Sequence, residues 1–155
     1  MNFRSIITAV LLVFVAVSVT VLVMRNSKAP AASNEPVPTV TTGGDRVIAY
    51  YFHRTQRCPT CLRIEELTHE IIHQQFVSET AAGKLQLQVV NIEDPGSEHF
   101  ETDFNLVSQS IVLVTLKDGK QTDWKNLDKI WELIGDEPSF KTYVADEVRG
   151  ALSRS

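Results

Sequence analysis

The stretch Arg57-Cys58-Pro59-Thr60-Cys61 contains the only two cysteines among 155 residues, and two residues separate them. An apolar run of β-branched and aromatic residues, Val47 to Phe52, leads in, and a helical pattern starting near Pro59 leads out. A strand, a short loop and then C-x-x-C opening a helix is the layout of a redox dithiol. The first sulfur is then expected at a helix N-terminus, where unpaired N–H groups and the dipole stabilise a thiolate. Pro59 suits this position, because proline in the first helical turn loses no hydrogen bond.

Three other chemistries compete for the same pair. A structural disulfide across two residues closes a very small loop and would stabilise a domain of this size little. Zinc is suggested by His69 and His73, which follow at i, i+4. A finger places about twelve residues between the second Cys and the first His, and seven intervene here. On one helix, a rise of ~1.5 Å per residue would set Cys61 and His69 ~12 Å apart, too far for one tetrahedral ion. Haem attachment needs His directly after the second Cys, and Leu62 stands there. Redox chemistry is the best fit.

Working outward, the elements alternate. Val47 to His53 is near-continuously apolar, as a buried parallel strand should be. The helix after Pro59 is predicted to turn Cys61, Ile64, Leu67, Ile71 and Ile72 inward and both histidines to solvent, and to end at Gly83. Leu85 to Ile92 alternates as a second strand. Pro95-Gly96 breaks it, and Ser97 is expected to cap a short helix carrying Phe100, Phe104 and Val107 inward. Ile111 to Leu116 is a third strand. Asp118-Gly119 signals a hairpin into an antiparallel fourth strand, Gln121 to Lys125. Asn126 is expected to cap a helix carrying Leu127, Ile130, Trp131 and Ile134, stopped by Gly135. Pro138 opens a last helix with Phe140, Val144, Val148 and Leu152 inward. Trp124 and Trp131 are expected in the core.

Upstream, Ile6 to Met24 is apolar apart from Thr8, Ser18 and Thr20. About 19 such residues at ~1.5 Å each span a ~30 Å hydrocarbon core. Residues 1–25 are therefore expected to be an uncleaved membrane anchor, with a cleaved signal peptide ending near Ala29-Pro30-Ala31 as the alternative. Residues 26–45 are rich in Pro, Gly, Ala, Ser and Thr and read as a flexible linker, ~25 Å long on average. The domain is expected to occupy 46–155. It carries twelve Lys/Arg against seventeen Asp/Glu, with no basic stripe, so nucleic acid is not an expected partner. No phosphate-binding glycine loop or nucleotide fingerprint occurs, and neither a cofactor nor a metal is expected. Near the cysteines the balance reverses. Arg54, Arg57 and Arg63 bracket them, either lowering thiol pKa and favouring anionic substrates or standing as solvated loop residues.

The order strand, C-P-x-C, helix, strand, helix, hairpin, helix resembles the thioredoxin fold over Arg46 to Ser155. That resemblance implies an α/β domain with a central mixed four-stranded sheet flanked by helices, preceded here by the N-terminal transmembrane helix. At finer grain the chain resembles the ArsF family of anchored thioredoxin-like proteins. The resemblance is carried by Tyr50-Tyr51-Phe52-His53-Arg54 before the C-P-T-C stretch, by Asn91-Ile92-Glu93-Asp94, and by Trp124-Lys125-Asn126-Leu127 running into Ile130-Trp131. It implies a nitrophenyl-compound nitroreductase subunit, associated with a CcdA/DsbD-like polytopic membrane electron carrier.

The chain departs from thioredoxins at three places. Arg57 replaces the tryptophan before the first cysteine. Ala49, Tyr50 and Tyr51 stand where thioredoxins bury an aspartate that manages the second cysteine's proton. Ser108-Gln109-Ser110-Ile111 replaces the segment whose cis-proline faces the disulfide, so a trans backbone is expected there. The expected roles are Cys58 as attacking thiolate, Cys61 as resolving cysteine, and Pro59 and Arg57 in support. The expected function is extracytoplasmic, membrane-anchored, reductive thiol–disulfide electron transfer at a bacterial inner membrane, toward a redox partner protein or a small oxidised substrate. The alternative is a soft-metal or arsenic(III) binding module using the same dithiol.

Overall fold

The computed structural model describes residues 44–155. The expected anchor and nearly all of the expected linker lie outside the described residues. Among those described, no helix is long and apolar enough to cross a membrane.

Four strands form one sheet: β1 (Arg46–His53), β2 (Leu85–Asn91), β3 (Ser110–Lys117) and β4 (Lys120–Asn126). Their order is β2-β1-β3-β4, with β1 parallel to β2 and antiparallel to β3, and β3 antiparallel to β4. Two helices cover one face: α1 (Pro59–Gln75), between β1 and β2, and α5 (Glu137–Leu152), after the hairpin. Three short helices, α2 (Val77–Ala81), α3 (His99–Asp103) and α4 (Ile130–Leu133), complete the described chain. This strand order, with these directions and crossovers, is the thioredoxin-like arrangement.

The alternation of β1 accounts for the two layers, because successive side chains leave opposite faces of a strand. Val47, Ala49 and Tyr51 join Ile111 and Leu113 of β3 beneath α1 and α5. Ile48 and Phe52 join Val112, Val114, Phe104 and Leu106 on the other face. A central strand buried on both sides must read as continuously apolar, and β1 does. The β3–β4 turn has positive φ at Asp118 (50°) and Gly119 (75°). That is the two-residue mirror-image turn whose twist suits a hairpin, and Asp-Gly tolerates it.

Several expectations are corrected. The helix after Pro59 does not run to Gly83. It stops where Phe76 leaves helical geometry, with φ −127° and ψ 35°, because that ring is drawn into the core. Gly83, at φ +70°, follows the short α2 instead. Ser97 does not cap α3, whose N-cap residue is Glu98. Val107 points to solvent, 91% exposed, and Leu106 takes the core position beside it. Asn126 ends β4 rather than capping a helix, and α4 starts after Lys129. Trp131 is 37% exposed, so it is no core anchor, whereas Trp124 packs edge-on against Phe104. Leu152 is only partly buried at the rim of the core.

Candidate functional site

Cys58 and Cys61 form a disulfide with a Cα–Cα distance of 5.0 Å. Cys58 is itself the N-cap of α1, and Pro59 follows in the first turn. A helix leaves its first N–H groups without intrahelical acceptors, and an N-cap side chain normally supplies an oxygen to one of them. Here the acceptor is sulfur: the Cys61 N–H donates to Cys58 Sγ at 3.1 Å. The two cysteines differ in access, because Cys58 is exposed and Cys61 is 2% exposed. Three of the residues singled out from the sequence, Cys58, Pro59 and Cys61, therefore make one continuous first turn.

The loop before this turn is held from β2. Asn91 Nδ2 donates to Thr55 Oγ1 (3.0 Å), and Thr55 N–H donates to Glu93 Oε2 (2.9 Å). Hydrogen bonds from Thr55, helped by the charge of Arg54, hold the Glu93 carboxyl below its usual range. The Asn91-Ile92-Glu93-Asp94 stretch thus fastens the redox loop to the end of β2. From below, the Tyr51 hydroxyl donates to the Cys61 carbonyl at 2.7 Å. Tyr51 is fully buried, and burial raises its pKa above the ordinary tyrosine value, so it stays a donor.

The arginines are neither free cations nor merely solvated. Arg54 pairs with Glu101 at 2.6 Å and lies 3.8 Å from Glu93. Arg63 pairs with Glu66 and Glu137. Arg57 pairs with Glu65, and its guanidinium lies 5.8 Å from the centre of the Tyr51 ring. Five carboxylates therefore face three guanidiniums, and the local positive field expected from the sequence is compensated. Glu65 is the residue that sequence reasoning missed. Glu65 could have been found by its i, i+4 spacing from Cys61 on the helix. Tyr51 stands in the sequence at the position of the aspartate that thioredoxins bury, but nothing local marks its bond to the Cys61 carbonyl.

At the head of β3, no cis peptide bond occurs among the described residues, as the missing proline implies. The carbonyls there are already engaged. The Trp131 indole N–H donates to Gln109 O at 3.0 Å, and the Ser110 hydroxyl donates to Ser108 O at 3.0 Å. His69 and His73 do not approach the cysteines as a metal set, and no cluster of metal-ligating side chains occurs among the described residues. They stack on one another on the flank of α1, 5.8 Å between ring centres. Burial, and then the charge of His73, lowers the pKa of His69.

No protein-family model and no curated protein matches the chain. Solved structures similar to it include the thioredoxin of Fasciola hepatica, with 20% identity over 59% of this chain and 81% of that one, at a TM-score of 0.35. The thioredoxin of Malassezia sympodialis has 20% identity over 64% of this chain and 81% of that one, at 0.37. Oxidised thioredoxin O2 from Arabidopsis thaliana has 17% identity over 62% and 76%, at 0.36.

Proposed function

We propose that this domain is a thiol–disulfide oxidoreductase working through Cys58 and Cys61. The carrying observation is the asymmetry of the pair at one helix terminus. Cys58 is exposed, with its sulfur already accepting a main-chain N–H, while Cys61 is buried one turn further in. In the reductive direction, the Cys58 thiolate attacks a substrate disulfide, forming a mixed disulfide and releasing one substrate thiolate. Cys61 then gives up its proton to water and attacks the Cys58 sulfur. The second substrate thiolate leaves, and the Cys58–Cys61 bond forms. The substrate gains two electrons and the dithiol loses them.

The setting we propose is extracytoplasmic. Residues 1–25 would anchor the domain to a bacterial inner membrane, and a CcdA/DsbD-like carrier would regenerate the dithiol. The occupied carbonyls before β3 support a dedicated redox partner or a small oxidised molecule as substrate, since little main chain remains for a strand-like peptide. A nitroreductase-subunit role would draw its electrons through the same dithiol.

The test uses the full chain in detergent micelles. Wild-type protein should equilibrate with a glutathione buffer and reduce a test disulfide catalytically. Cys58→Ser should abolish both, and Cys61→Ser should accumulate a mixed disulfide at Cys58. Stoichiometric capture of arsenic(III) with no turnover would overturn the redox reading in favour of a chelating module.

A further inference from the structure

The Arg57–Glu65 pair flanks the redox turn, and Arg57 keeps one buried donor that the pair does not use. The two side chains are 23% and 22% exposed. Arg57 Nη2 and Glu65 Oε2 are paired with each other, and Arg57 Nε is buried with no hydrogen-bond acceptor. Arg57 directly precedes Cys58 in the chain, and Glu65 lies one helical turn beyond Cys61. The guanidinium rests over Tyr51, whose hydroxyl is bonded to Cys61. Other charged groups around the turn already have partners: Arg54 with Glu93 and Glu101, Arg63 with Glu66 and Glu137. The His53 ring N–H is donated to the Arg54 carbonyl.

We infer that Glu65 is a positioning residue that sets the reduction potential of the Cys58–Cys61 pair by competing with the Cys58 thiolate for Arg57. The inference rests on the redox reading above. In the disulfide form the turn carries no sulfur charge, and Glu65 holds the cation alone. A dithiol donor then reduces the bond and becomes a disulfide itself. Two electrons and one proton enter the site, leaving Cys61 a thiol and Cys58 a thiolate, while the donor's second proton goes to water. The second anion forms on the residue that follows Arg57 in the chain, and the Arg57 Nε–H is the donor left to serve it. A cation near a thiolate favours the charged form, but the share taken by Glu65 is withheld from the sulfur. Glu65 thus keeps the pair more reducing than Arg57 by itself would make it.

The test is the equilibrium of the full chain with glutathione. Glu65→Gln should shift it about tenfold toward the dithiol, close to 30 mV for two electrons. Arg57→Gln should shift it the opposite way, and Arg57→Lys should restore much of the loss. The double variant R57Q/E65Q should match R57Q, because Glu65 acts through Arg57. If E65Q folds poorly with its cation unpaired, that last comparison still decides. Equality supports the competition, and a difference between the two means that Glu65 acts on the sulfur directly and overturns it. A wild-type chain that never exchanges with glutathione sinks the proposed function and this inference with it. A wild-type chain that exchanges, with variants that do not shift, sinks this inference alone.

Discussion

At the scale of single residues, the two sulfurs have unequal surroundings although the sequence presents them symmetrically. Cys58 caps the helix from outside and Cys61 is enclosed. In the reduced protein, iodoacetamide should therefore alkylate Cys58 roughly tenfold or more faster than Cys61, because reactivity follows thiolate character and exposure. Comparable rates by mass spectrometry would contradict the assigned roles. Tyr51 supports the inner cysteine from β1. Its hydroxyl reaches main chain rather than sulfur, so it ties the first turn of α1 to the sheet and does not replace the aspartate of thioredoxins as a proton acceptor. Tyr51→Phe should cost about 1 kcal/mol, the usual worth of a buried hydrogen bond, visible as a lower urea midpoint. An unchanged midpoint would show that this bond contributes nothing to stability.

At the scale of elements, the segment entering β3 is braced by side chains at its carbonyls. Ser110 already pairs with Phe52 across the sheet, and the carbonyl just before it is held by Trp131 from α4. An indole that leaves the core to bind main chain explains why a tryptophan at a helical apolar spacing stays partly exposed. Trp131→Phe keeps the ring's bulk and releases Gln109 O. Turnover of an extended peptide disulfide such as insulin should then rise roughly fivefold, about 1 kcal/mol for one recovered docking hydrogen bond. No change in that rate would remove the carbonyl from the account of substrate choice.

At the scale of the whole molecule, apolar layers on both sheet faces are complete within the described residues. Residues 46–155 should accordingly fold without the preceding segment and unfold in one cooperative step. An aggregated or molten product would move the domain boundary upstream. The same layers set the alkaline limit. Burial raises the pKa of Tyr50, Tyr51 and Tyr143 above the ordinary value. Between the unfolded value of about 10 and the folded ones, the native state keeps protons that the unfolded chain has released. Stability should therefore be full below pH 10 and fall as pH rises past it. Urea midpoints that hold constant from pH 9 to 11 would contradict that sign.

The sequence by itself determined the strands, the helix opening at the cysteines and the Asp118-Gly119 turn. These follow from periodicity and from φ preferences, both of which act within a few residues of one another. Continuous apolarity marked β1 as central, and Pro59 after Cys58 marked where α1 begins. Only the tertiary structure decided the charge around the dithiol. Arg54 meets Glu101 and Arg63 meets Glu137 across sequence separations of 47 and 74, so counting neighbours along the chain found the cations and missed their carboxylates. It also decided that Phe76 breaks its helix, that Leu106 rather than Val107 turns inward, and that Trp131 serves main chain. In each case the choice lay between partners brought together by the folded sheet. Short-range preference cannot rank such partners, because their energies depend on distances in space rather than on spacing in sequence.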